Sequence, residues 1–195
     1  MRFRQSILCL IGVSLLVTFV VGGISSYFML RNATDMTWQY ERLLRPASYL
    51  EVARANVWNA QALMDQVALD RDPVVMAMNQ ARAVALYREN DELLRQYGLS
   101  ADLDAKARAL YESLTAKRAR FHKVNAKALE LAPLTLDEEA TLAFTAYANE
   151  TALPALAEYV DALGALTAHA QALVERTNIL NQQQSNTAFA TVVSL

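Results

Sequence analysis

The side chains able to ligate a metal or attack a substrate are few: two histidines, His122 and His169, one cysteine, Cys9, and an acidic run, Asp137-Glu138-Glu139. A metal site built on a helix needs His, Cys or carboxylate ligands about one turn apart on one face. Neither histidine has such a neighbour at i, i+4, so both read as solvated or structural. The acidic run follows Thr135 and suits the start of a helix, where carboxylates offset the positive end of the dipole. No CxxCH run for covalent haem, no glycine-rich phosphate loop and no GxSxG elbow occurs. The expectation is a chain that is not an enzyme, with no catalytic residues, no metal ligands and no cofactor. The net charge of −2 and a charged fraction of 19% also argue against a nucleic-acid partner and against a disordered tail.

Position along the chain then matters more than chemistry. Ile7 to Leu30 is an uncharged run of 24 residues, and about 20 apolar residues suffice to cross a bilayer as a helix. A cleaved signal would have an apolar stretch of only about 7–15 residues ending at a small-x-small site. Here the small cluster Gly22-Gly23-Ile24-Ser25-Ser26 lies inside the run, followed by Tyr27-Phe-Met-Leu30. A lipoprotein cleavage at Cys9 fails because Leu8 precedes it. The run therefore reads as an uncleaved membrane anchor over 7–30. Arg2 and Arg4 flank its start, which predicts a cytoplasmic tail over 1–6 and a domain in the periplasm or outside the cell. The expected location is the inner, cytoplasmic membrane. Cys9 lies inside the span, so the exported domain has no disulfide and is held by packing alone.

Helix formers dominate the remainder, three of the five glycines lie in the apolar run, and no window alternates as a strand would. The breaks fall at Asp70-Arg71-Asp72-Pro73, at Tyr97-Gly98-Leu99-Ser100 and at Ala132-Pro133-Leu134-Thr135. Pro73 suits a first helical turn, Gly98 a left-handed helix end, Ser100 the next cap, and Thr135-Leu-Asp-Glu138 a capping box. Four helices result, about 31–71, 73–97, 100–131 and 135–186. Their lengths, taken alternately out and back, nearly cancel, leaving roughly 6 Å along the axis. The chain thus returns to the membrane near Asn186, where Thr187 to Leu195 reads as the start of a second, incomplete span.

Apolar seams support a bundle. In the first helix the seam is Leu50, Ala53, Val57, Ala60, Met64 and Val67. In the third it is Leu103, Ala107, Leu110, Leu114, Lys117, Phe121, Val124, Ala128 and Leu131. In the fourth it is Leu163, Leu166, Ala170, Leu173, Thr177 and Leu180. The second helix is less regular, with Val75, Met78, Ala81 and Ala85 giving way to Leu86, Leu93 and Tyr97. Spacing near 3.5 residues suits nearly antiparallel packing, and Pro46 and Pro154 mark local breaks inside long helices. The fold class expected is all-α: an N-terminal transmembrane helix over 7–30, an antiparallel up-down four-helix bundle over 31–186, and the start of a second transmembrane helix over 187–195.

This order of parts resembles the sensory portion of bacterial methyl-accepting chemotaxis proteins, with their four-helix-bundle ligand-binding domain. The nearest sequence echoes are Ala143-Phe-Thr-Ala-Tyr147-Ala-Asn-Glu-Thr151-Ala-Leu-Pro154 and the Gln-rich approach to Thr187. The resemblance implies a homodimer that binds a small molecule or a periplasmic binding protein. It also implies that the fourth helix and second span pass the signal inward to a HAMP linker and a kinase-controlling hairpin. Those output parts and the Glu/Gln-paired methylation helices are not among the 195 residues, which points to a fragment or a truncated receptor.

The same resemblance nominates ligand contacts. Arg54-Ala55-Asn56 matches an Arg-x-Asn segment that supplies a cation for a ligand carboxylate, whereas two further arginines of the pattern fall at Asn59 and Leu63. On the fourth helix Tyr147, Asn149 and Thr151 stand in for a Tyr, Gln, Thr succession at a different spacing, which counts against an aspartate-like ligand. Arg54 borders the apolar seam next to Ala53, where it can face a subunit groove or water. Trp38, Trp58 and Met64 read as packing or membrane-interface residues. Competing readings are a membrane-anchored coiled-coil scaffold without a ligand, and the same sensor bundle serving a histidine kinase or diguanylate cyclase. A haem or metal bundle is the remaining class.

Overall fold

Asp70, Asp72 and Pro73 make the first corner. The computed structural model describes residues 22, 23, 26, 27, 30, 34, 37–70, 72–131 and 138–193. Within it α1 runs Arg45–Leu69 and α2 Pro73–Ser100. The Asp72 carboxylate caps α2 by accepting from the Val74 N–H at 2.8 Å, and Asp70 accepts from the Asp72 N–H at 3.0 Å. Pro73 occupies the first turn, where a backbone N–H would have no helical partner. The predicted stop and start are both present here.

Beyond them lie α3, Ala105–Leu131, α4, Glu138–Tyr147, and α5, Leu153–Val193. A five-residue π segment, Tyr40–Leu44, leads into α1, and a second, Ala148–Ala152, joins α4 to α5. Each π segment ends two residues before a proline, Pro46 or Pro154. A proline ring would crowd the carbonyl four residues back in an α-helix. At the second site the Leu153 N–H instead reaches the Ala148 carbonyl, five residues back. The expected breaks at the two prolines thus take the form of widened turns, and α4, the π segment and α5 form one continuous helical run.

Side-chain ties fix the antiparallel register of neighbouring helices. Asn90 Nδ2 donates to the Ala53 carbonyl at 2.9 Å and Asn79 Nδ2 to Gln66 Oε1 at 3.4 Å, joining α2 to α1. Gln80 Nε2 donates to the Leu129 carbonyl at 2.8 Å and the Tyr111 hydroxyl to the Leu94 carbonyl at 3.0 Å, joining α2 to α3. Arg120 binds both oxygens of Glu158 at 2.7 Å, joining α3 to α5. Between α1 and α2 and between α2 and α3 one number rises as the other falls, and the His169–Asp104 contact gives the same sense for α5 against the start of α3, as an up-down bundle requires. α1 and α2 lie closest, because Ala53, Ala60 and Ala83, all fully buried, let their backbones approach. Aromatic rings fill the space between α2, α3 and α5: Tyr87 meets Phe121 edge-on at 5.4 Å, and Phe121 stacks on Tyr159 at 5.4 Å.

All six predicted seam residues of α1 are buried, and the α3 seam is buried or half-buried throughout, Lys117 included. Each fully buried Leu or Val contributes roughly 1.5–3 kcal/mol. Four expectations need correction. The α2 seam is Met76, Asn79, Ala83, Tyr87, Asn90, Leu94 and Tyr97, one position away from much of the predicted set, and Met78, Ala81 and Ala85 are exposed. Gly98 has no positive φ and does not end the helix. A Cβ there would lie 2.6 Å from the Tyr111 hydroxyl, so its bareness admits a neighbouring ring. Ser100 belongs to the last turn of α2, donating to the Gln96 carbonyl at 2.6 Å, and Asp104 is the residue that caps α3, accepting from the Ala107 N–H at 2.6 Å. At the far end of the fourth seam Leu180 is exposed. The proposed capping box at Thr135 lies outside the described residues.

By contacts the chain forms two compact units, residues 1–41 and 42–195. In the first, the described residues before Tyr40 are helical and Thr34 Oγ1 donates to the Leu30 carbonyl at 3.0 Å. The tail over 1–6 and most of the apolar run over 7–30 lie outside the described residues. Among the described residues no helix is long and apolar enough to cross a membrane. At the other end α5 remains helical past Thr187 to Val193.

Candidate ligand-binding site

α1 shows the core one face and leaves the opposite face outward. Along the start of that outer face, Leu44, Ala47, Ser48 and Glu51 meet Gln171, Val174, Glu175, Asn178, Ile179 and Gln182 of α5 across a groove of about 390 Å³. Leu44, Ala47, Val174 and Ile179 supply its apolar surface. The Gln171 side-chain amide donates to the Glu51 carboxylate across the groove. Among the described residues, neither Glu51 nor Glu175 forms an ion pair. The volume lies in the range of small-molecule pockets, about 300–1,000 Å³. Both walls are long helical segments, and no side chain of α2, α3 or α4 lines the groove.

A second polar region lies in the closed interior. Asn56, Tyr87 and Asn90 are less than a tenth exposed, and Asn56 Nδ2, the Tyr87 hydroxyl and Asn90 Oδ1 have no hydrogen-bond partner. The register set by Asn90 and Ala53 brings Asn56 level with Tyr87. Burial, with Tyr159 and Asp65 adding to it, pushes the Tyr87 hydroxyl far above its ordinary value near 10. Tyr159 is pushed up to about 12, by burial first and with Asp91 adding, against the pull of Arg118 and a hydrogen bond from Asn90. These hydroxyls therefore stay neutral and do no acid–base work near neutral pH.

Both histidines tie helices to carboxylates. His122 Nε2 lies 3.1 Å from Asp91 Oδ1, which Arg118 Nε approaches at 3.5 Å. His169 Nε2 lies 3.1 Å from Asp104 Oδ1, linking α5 to the cap of α3. The Ala107 N–H first, then His169, holds the Asp104 carboxyl below the usual carboxylate range. Among the described residues no group of three or more His, Cys, Asp or Glu is placed to hold a metal ion.

The five nominated residues are not brought together. Arg54 is exposed on α1 and has no hydrogen bond or ion pair among the described residues. Asn56, two residues on, is buried in the interior layer. Tyr147 is half-buried at the end of α4. Its hydroxyl donates to the Val124 carbonyl at 3.0 Å, and Lys127 Nζ stands 5.3 Å from its ring centroid. Asn149 and Thr151 belong to the π segment, exposed and half-buried respectively. The Glu51–Gln171 contact places Arg54 level with residue 168. Tyr147, Asn149 and Thr151 thus lie about 20 residues, roughly 25–30 Å, further along that helix. Within one chain, no single small molecule bridges them.

The groove residues Glu51, Gln171 and Glu175 escaped the sequence reading, because acids and amides on an outward helix face look like any solvated face. The only signal was the presence of Leu44, Val174 and Ile179 outside the seams.

The model of a four helix bundle sensory module for signal transduction matches residues 1–185. No curated protein and no solved structure matches the chain.

Proposed function

The chain belongs to the family of four-helix-bundle sensory modules of the methyl-accepting chemotaxis type, and on that premise we propose that it is the sensory portion of a transmembrane chemoreceptor. It binds a ligand outside the cytoplasm, a small molecule or a periplasmic binding protein, and passes the event through its membrane helices. The observation that carries this reading is the groove shared by α1 and α5. Those are the two helices whose sequences run toward the apolar segments 7–30 and 187–195, so a ligand between them acts on the parts that would transmit. A ligand that prefers one arrangement of α1 against α5 shifts the population toward it. The reading includes an N-terminus in the cytoplasm, residence in the inner membrane, a homodimer and a chemotaxis output. The exposed outer stripe of α1, with Val52, Trp58 and Leu69, supports the homodimer, since large apolar side chains on one face favour a protein partner.

Thermal melts of the full chain in nanodiscs, against a panel of amino acids, organic acids and amines, test the proposal. A ligand at 100 times its dissociation constant adds about 2.7 kcal/mol, a rise in Tm of roughly 5–10 °C for a domain of this size. The absence of any shift, together with no binding-protein partner in crosslinking, would favour an anchored scaffold instead.

A further inference from the structure

We propose that the α1–α5 groove takes a protonated primary amine carrying an apolar body. This inference rests on the sensor reading and names the ligand class of the same site. Elsewhere on the bundle three carboxylates reach a basic side chain on a neighbouring helix: Asp91 meets Arg118 and His122, Asp104 meets His169, and Glu158 meets Arg120. The groove differs from those three sites. Glu51 and Glu175 line it, no Lys, Arg or His among the described residues does, and there Glu51 receives only the neutral amide of Gln171. Two carboxylates with no ion pair among the described residues attract a cation and repel a carboxylate ligand.

The remaining lining refines the class. Leu44, Val174 and Ile179 offer apolar surface for a hydrocarbon body, while the side-chain carbonyls of Asn178 and Gln182 accept hydrogen bonds beside the acids. Binding of quaternary ammonium groups relies on aromatic faces, and no aromatic ring lines the groove. Recognition by acceptors needs N–H donors on the ligand, which a primary ammonium has and a quaternary one lacks.

Isothermal titration of the full chain in nanodiscs with isoamylamine, 4-methylpentanoate and choline at pH 7 tests the assignment. The expected result is saturable binding of the amine alone, weakened at least tenfold in both Glu51→Gln and Glu175→Gln. Binding of the carboxylate or of choline in place of the amine would overturn the ligand class and leave the sensor reading standing. Stabilisation by some other compound of the melting panel, unaffected by either substitution, would overturn the groove as the site. A dimer in sedimentation that Ile179→Arg dissolves, with no amine binding, would assign the groove to a second copy of the chain and likewise overturn the proposal. Failure of every compound in both experiments would count against the sensor reading itself.

Discussion

In the interior layer Asn56, Tyr87 and Asn90 are less than a tenth exposed and carry no charge; in the α1–α5 groove Glu51 and Glu175 are charged and exposed. An unpaired neutral group costs about 1–3 kcal/mol when buried, whereas an isolated buried charge costs far more. The closed region therefore tolerates amides and hydroxyls, which align helices, as the Asn90–Ala53 bond aligns α2 on α1. The open region tolerates carboxylates because water solvates them. Polarity inside the bundle sets the register, and polarity on its outside is free to recognise.

The largest test of that contrast is alkaline titration. Burial first raises Tyr87 strongly and brings Tyr97 and Tyr159 to about 12. In the unfolded chain tyrosine ionises near 10, so the stabilisation is fully present below pH 10 and is lost as pH rises from 10 toward 12. Each hydroxyl that ionises in the unfolded chain but not in the bundle removes at most about 1.4 kcal/mol for every pH step of one across that window. Urea midpoints should fall steeply there, by several kcal/mol in all, and a flat profile would mean a wetter interior. Next, Leu50→Ala, at a fully buried seam position, should cost about 2–5 kcal/mol; a loss below about 1 kcal/mol in chemical denaturation would show that α1 is loosely seated.

Smaller effects separate the regions by sign. Tyr87→Phe removes a hydroxyl without a partner and should raise stability by up to about 1 kcal/mol, read as a higher Tm. A fall would mean that the hydroxyl is bonded in solution. In the groove, Ile179→Ser, at a residue half exposed, should change stability by less than about 0.5 kcal/mol while weakening ligand binding. A large loss of stability there would show that the groove closes in solution.

The sequence revealed these regions unequally. Strict 4-3 spacing makes α1 and α3 legible, because apart from Met64 and Lys117 their seams are written in Leu, Val, Ala and Phe. The α2 seam is displaced from the apolar pattern because two of its positions are the amides Asn79 and Asn90, which a search for apolar residues passes over. Gly98 was read for its conformational freedom, when its role is to make room for Tyr111. The groove stays hidden because it arises from how two helices far apart in sequence lie side by side, which no local pattern encodes.

The π segments have a consequence for comparing this chain with its relatives. Each residue of an α-helix advances the face by about 100°. A π turn uses an extra residue to go round once, so it acts on the helix as a single-base insertion acts on a gene: everything downstream is read in a shifted frame. Side chains after Ala152 cannot be assigned to faces by counting α turns from Glu138, nor those after Leu44 by counting from the apolar run. The spacing of Tyr147, Asn149 and Thr151 straddles such a shift, and a motif carried across it lands on a different side of the helix.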